Sequence, residues 1–250
     1  MKLKLIVLLM MLLGVALVPA AAAQDMMEIE AADVEVMSGG QAYQSYLAAP
    51  TGEGMFPGII LIHSFNGMEE GYRTLVDQFA SEGFVVLALG WQTFEQSPAD
   101  DVVMQLVQDG IAMLTERDDV DAARIGLTGF CAGGRYTMLF MPQVEGLAAG
   151  VAWYGFPYNG EPAPVDFVDQ FEAPMLMIHG TEDNPSPIEG IYDYATALRG
   201  AGASFELKVY SGEPHGFMLT EGQLRTDEVA RDAYNEMITF FKRKLGTSMV

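Results

Sequence analysis

Gly129-Phe130-Cys131-Ala132-Gly133-Gly134 is the stretch on which the reading of this chain turns, and it holds the only cysteine in the sequence. The apolar run 124–128 leads into it and a helix-like run, 135–141, follows. G-x-C-x-G has the spacing of a nucleophile elbow, G-x-S-x-G, with a thiol in place of the hydroxyl. In that turn a strand reverses sharply into a helix, and glycines flank the nucleophile because a Cβ would collide with the neighbouring backbone.

Working outward, apolar runs and helical stripes alternate. Segments 28–36 and 42–47 read as two strands joined at Gly39-Gly40. Segment 58–63 is a short buried strand ending in the turn His63-Ser64-Phe65-Asn66-Gly67, and 69–81 is a helix stopped by Gly83. A strand at 84–89 precedes a helix at 98–117 with Val103, Leu106, Val107, Gly110 and Leu114 on one stripe. Strand 124–130 enters the elbow. Strands then fall at 148–154, 174–179 and 205–210, with an irregular stretch at 155–171 and helices at 188–200 and 226–245. This alternation predicts an α/β fold: a doubly wound, mostly parallel sheet covered on both faces, with the first two strands as an antiparallel edge.

The chain has 250 residues and a formal net charge of −21. Lys2 and Lys4 followed by the apolar run 5–18 and Ala21-Ala22-Ala23 read as a secretory signal peptide over 1–23. The run is shorter than the ~20 residues a membrane span needs. Residues 24–250 suit one domain. The expected location is therefore periplasmic or secreted, with no membrane association after cleavage. The acid excess excludes nucleic acid, which requires basic stripes, and disfavours anionic membrane surfaces. It is spread along the chain and reads as a solvated surface. A single cysteine permits no intrachain disulfide, so in an exported protein it is either a working thiol or an inert buried one. The glycine frame favours the working thiol.

A thiol nucleophile needs a base, and the base needs an acid to orient it. Of the three histidines, His215 lies in a turn after the last strand, in Glu213-Pro214-His215-Gly216-Phe217. Asp183 lies in the loop His179-Gly180-Thr181-Glu182-Asp183 after the preceding strand, with Glu182 and Glu213 as competing carboxylates. The order Cys131, Asp183, His215 is the nucleophile–acid–base order of an α/β-hydrolase, and all three fall at carboxyl ends of predicted parallel strands. His63 and His179 end buried strands and read as structural. The three histidines show no zinc spacing and no Gly-rich phosphate loop is present, so neither metal nor cofactor is expected. One oxyanion donor is expected from the Ala132 N–H and a second from the backbone of Phe65 or Ser64.

The elbow 129–135, the loop 180–183 and the turn 214–217 resemble the dienelactone hydrolase family, and the resemblance extends from about residue 42 to 245. It implies a single-domain α/β-hydrolase with a Cys-His-Asp triad that opens an ester or lactone without metal or cofactor. By that resemblance Cys131 is the nucleophile, His215 the base and acid, and Asp183 its orienter. Two positions depart from the family pattern. The family's type enzyme carries a regulatory Glu just after the strand that here ends at His63, where this chain has Ser64. The type enzyme also holds a substrate carboxylate with arginines, one of them a few residues beyond the histidine. Here Met218, Leu219 and Thr220 stand in that region, and no arginine lies between Arg73 and Arg117.

The expected partner is a small-molecule ester or lactone. Substrate-contact candidates are Ser64, Trp91, Arg135, Trp153, Tyr154 and Phe217, with Phe65, Phe94 and Phe156 as further aromatics. Core packing is the alternative role for the aromatics, and packing around the elbow helix the alternative for Arg135. The competing functional expectation is a protein that binds small ligands on the same fold without turnover.

Overall fold

A computed structural model describes residues 26–246; the expected signal peptide lies outside the described residues. Eight strands form one sheet in the order β1-β2-β4-β3-β5-β6-β7-β8. These are β1 (Ile29–Ser38), β2 (Gln41–Pro50), β3 (Phe56–Ile62), β4 (Val85–Leu89), β5 (Val120–Phe130), β6 (Leu147–Trp153), β7 (Met175–Glu182) and β8 (Phe205–Pro214). β1 and β2 are antiparallel to each other, and β2 to β4; every pairing from β4 onward is parallel. The antiparallel edge and the parallel body are those the alternation predicts.

Successive side chains of a strand point to opposite faces, and the core divides accordingly. Ile59 and Leu61 of β3 pack with α1 (Glu70–Ser81) and α5 (Glu228–Leu245). Ile60 and Ile62 pack with α2 (Asp100–Thr115) and α3 (Ala132–Phe140) on the other face. Met175 and Met177 of β7 carry α4 (Ile188–Ala201). The α5 stripe closes around Phe241, which meets Phe79 and Phe84 edge-on at 5.8 and 6.3 Å between ring centroids. Asp227 caps that helix by accepting from the Ala230 N–H, and Lys242, Arg243 and Lys244 complement its carboxyl end.

The structure corrects several boundaries. α3 starts at Ala132, directly after Cys131, so the positive end of the helix meets the thiol. The stretch 155–171 contains a 3-10 helix, Pro164–Gln170, with the Ala163 N–H bonded to the Asp166 carboxylate. β8 runs on to Pro214. A two-stranded hairpin, β9 (Leu219–Thr220) and β10 (Gln223–Leu224), follows it where the sequence showed no strand signal. Such short strands carry too few residues for a period to show.

Candidate active site

The sheet register delivers the site. Phe130 of β5 pairs with Trp153 of β6, and Glu182 of β7 with Pro214 of β8. The residues one step beyond these pairs are Cys131, Tyr154 and Asp183, with His215 following Pro214. Parallel pairing therefore brings all four to the carboxyl edge of the sheet, where open α/β sheets place their ligands.

The elbow is built as its glycines demand. Cys131 holds φ 58°, ψ −110°, a strained conformation for a residue with a side chain. Its N–H is bonded to the Trp153 carbonyl at 3.1 Å. A Cβ on Gly129 would lie 2.2 Å from the Gly133 carbonyl, and one on Gly133 would lie 2.0 Å from the Ile62 carbonyl. The glycines thus let the turn press against its own helix and against the end of β3.

Asp183 is buried, and each of its oxygens has a partner. Oδ1 accepts from the Ser186 N–H at 2.8 Å, and Oδ2 accepts from His215 Nδ1 at 2.8 Å. The Ser186 hydroxyl donates to the Gly155 carbonyl at 2.6 Å, tying this loop to the one after β6. Because Nδ1 of His215 carries the proton given to Asp183, the other ring nitrogen is the one left for chemistry. That Nε2 is buried and has no hydrogen bond of standard geometry among the described residues. Burial opposes charging the ring, but the bond to Asp183 and the neighbouring Cys131 thiol outweigh it and raise the His215 pKa from 6.5 to about 9. The thiol is thus near enough to act on the ring electrostatically, while the hydrogen bond between them is not closed in the resting geometry. Such bonds often tighten only with substrate in place.

The other two histidines hold loops. His179 donates from Nε2 to the Ser186 carbonyl at 2.7 Å, and burial pushes its pKa down. His63 is buried and its pKa is lowered by burial to about 4, so it is neutral. Its Nδ1 lies 2.8 Å from the Ser64 carbonyl and 3.1 Å from Trp91 Nε1. One nitrogen cannot serve both, so it donates to Ser64, and the indole N–H is satisfied by the His63 carbonyl at 3.2 Å. The Ser64 carbonyl also accepts from the Gly67 N–H. In a trans peptide the next N–H points opposite to that carbonyl, so these two bonds aim the Phe65 N–H away from His63 and Gly67.

A cavity of about 330 Å³ opens on Cys131 and His215. Ser64 and Tyr154, two of the substrate-contact candidates, line it. Four other candidates do not. Trp91 is buried against His63 with 5.4 Å between ring centroids, and Trp153 stacks on Phe130 at 5.0 Å inside the core. Phe217 is buried behind Tyr154, 5.6 Å from its ring. Arg135 donates to both oxygens of Asp100 at 2.8 and 2.7 Å and to the Asn159 carbonyl at 2.7 Å. That fork ties α3 to the start of α2 and turns the guanidinium away from the cavity. Phe65 and Phe94 are exposed, Phe94 packing on Tyr43, while Phe156 tilts against His215 at 5.3 Å.

Among the lining residues that sequence reasoning did not assign to the site are Glu69, Tyr72 and Glu221. Glu69 is the N-cap position of α1, and its carboxylate accepts from the Ser64 hydroxyl at 3.4 Å. Glu69 thus brings a carboxylate to the end of β3, five residues beyond Ser64. An acid opening a helix is ordinary, and no local pattern marks it as facing a thiol. Glu221 sits in the β9–β10 turn at φ 51°. This hairpin lies over the start of α1, where the Gly71 N–H donates to the Gly222 carbonyl at 2.8 Å.

A central parallel sheet with a strained turn after β5, an acid after β7 and a histidine after β8 defines an α/β-hydrolase. The sequence model of the dienelactone hydrolase family matches residues 88–245, and the chain belongs to that family, whose members are hydrolases of esters and lactones. It is 29% identical over 240 residues to a Salmonella typhimurium protein named "Putative carboxymethylenebutenolidase", covering 87% of this chain and 89% of that one. The crystal structure titled "Putative Dienelactone Hydrolase" from Klebsiella pneumoniae superposes with a TM-score of 0.78 at 27% identity, over 86% of this chain and 99% of the other. A dienelactone hydrolase-like promiscuous phosphotriesterase from metagenomic libraries shares the fold at 18% identity and a TM-score of 0.73, over 87% of this chain and 99% of that one.

Proposed function

We propose that this chain is an exported cysteine hydrolase that cleaves an ester or lactone through a thioester on Cys131. The observation that carries the reading is the 2.8 Å bond from His215 Nδ1 to Asp183, which leaves a buried Nε2 without a partner beside the thiol. In the first half-reaction Cys131 Sγ attacks the substrate carbonyl carbon, its proton passing to His215 Nε2. The oxyanion is held by the N–H of Ala132, at the start of α3, and by that of Phe65. Removing one such donor typically costs ~3 kcal/mol of transition-state stabilisation. The intermediate collapses, the C–O bond breaks, and the Nε2 proton goes to the leaving alkoxide. In the second half, water gives a proton to Nε2 and attacks the thioester. The C–S bond breaks and the proton returns to sulfur.

Two features support a working site over binding alone. The strain at Cys131 is maintained by glycines at three positions, and both oxygens of Asp183 are committed to the loop and to His215. Export rests on the leader-like residues 1–23. Cys131→Ala is expected to lower turnover of short aryl esters by about 10³-fold or more, in line with loss of a nucleophile. Unchanged turnover in that variant would remove Cys131 from the mechanism.

A further inference from the structure

The cavity at Cys131 differs in charge from a carboxylate-binding site. Glu69 and Glu221 line it, and among the described residues no lysine or arginine does. The arginines that could reach this part of the molecule are committed elsewhere. Arg73 pairs with Asp33 at 2.7 Å, Arg135 with Asp100 at 2.7 Å, and Arg225 with Glu213 and Asp227 at 2.6 Å each. Among the described residues, the group lining the cavity that can take up a positive charge is the His215 ring, and Asp183 is already paired with it.

A second, independent observation concerns Tyr154. The residue is 1% exposed, its ring meets His215 edge-on at 5.1 Å, and its hydroxyl has no hydrogen-bond partner among the described residues. A buried hydroxyl without a partner loses its hydration and gains nothing in return. The backbone at Tyr154 is also held at φ 35°, a rare conformation for an aromatic residue. Burial first, then the neighbouring Tyr72, Cys131, Asp183 and Glu69, raises its pKa well above the usual phenol value, so the hydroxyl stays a donor. The chain thus bears strain and an unmet donor at the floor of the same cavity that Glu69 makes negative.

We infer that this cavity takes uncharged esters or lactones whose acyl part carries a neutral hydrogen-bond acceptor for Tyr154, and that Glu69 rejects acyl groups bearing a carboxylate. The inference rests on the reading of Cys131 as the nucleophile and goes beyond it by naming the substrate class. An unscreened carboxylate placed within several ångströms of Glu69 in a half-buried site is disfavoured by about tenfold or more.

The experiment compares kcat/KM for a matched pair, the 4-nitrophenyl ester of monomethyl succinate and that of succinate with its second carboxylate free. The wild-type protein is expected to prefer the methyl-capped ester by about tenfold or more, and added salt to shrink that preference by screening. Glu69→Gln is expected to lower the ratio at least about threefold. Because the ratio is internal to each variant, a change in overall activity cancels. Tyr154→Phe is expected to lower kcat/KM for the capped succinate ester more than for 4-nitrophenyl butyrate, which lacks the acceptor. A wild-type ratio at or below one, or a ratio that neither salt nor Glu69→Gln moves, overturns the substrate class while Cys131-dependent hydrolysis still stands. Failure to cleave any of the three esters, or cleavage that survives Cys131→Ala, overturns the reading beneath it.

Discussion

At the scale of single residues, Asp183 decides what His215 can do. One carboxylate oxygen fixes the 183–186 loop and the other fixes the imidazole tautomer. Asp183→Asn keeps the size and most of the packing but can present its amide N–H to Nδ1, which turns the ring's proton toward the thiol. Turnover is expected to fall by about 10³-fold or more, read as kcat on an aryl ester. The same substitution has a signature in stability. The folded pKa of His215, about 9, lies above its ordinary 6.5. The stabilisation from this shift is therefore fully present below about 6.5 and is lost as pH rises through about 9. Denaturant midpoints of the wild type should decline across that window, and those of Asp183→Asn should decline less. Cys131, His215 and Asp183 were legible as residues because glycine spacing and chain order mark them. Glu69 and Tyr154 were harder to place. The role of Glu69 depends on a loop folding back by five residues, and that of Tyr154 on a hydroxyl left without a partner.

At the scale of elements, the strands that carry the site were legible because buried parallel strands are continuous apolar runs bounded by turn residues. The register that sets Asp183 beside His215 was not, since it depends on which strands become neighbours. The aromatic candidates divided for a similar reason. Trp153 and Tyr154 are adjacent in sequence, but Trp153 ends β6 inside the core, whereas Tyr154, turned at φ 35° just beyond the strand, stands on the cavity wall. The β9–β10 hairpin rests on α1 through Gly71, where a Cβ would lie 2.8 Å from the Leu224 nitrogen and 3.0 Å from the Gly222 carbonyl oxygen. Gly71→Ala gains up to ~1 kcal/mol of helix propensity. Forcing backbone apart costs ~1–3 kcal/mol, so the clash wins. The expected outcome is a melting temperature lower by a few degrees together with a raised KM, because the hairpin that carries Glu221 is displaced. An unchanged KM would detach the hairpin from the cavity.

At the scale of the whole molecule, the doubly wound architecture follows from the alternation of strand and helix. A net charge of −21 does not specify the fold; it specifies self-repulsion. Screening shortens the reach of that repulsion to roughly 10 Å at 0.1 M salt, so thermal stability should rise between low salt and about 0.5 M sodium chloride. A melting temperature that fell over that range would mean that the surface ion pairs, such as Arg243 with Glu206, outweigh the repulsion. Among the described residues, an eight-stranded sheet flanked by five α-helices holds the Cys131 sulfur in a strained turn, and the proposed function makes that sulfur the site of acyl transfer. The most direct measurement is the mass of the intact protein after mixing with excess 4-nitrophenyl acetate and quenching in acid within the first turnover, followed by mapping of the modified peptide. One added acetyl group is expected on the peptide containing Cys131, absent in Cys131→Ala and lost on longer incubation. An acetyl group on another residue, or turnover with no adduct on Cys131 at any quench time, would contradict it.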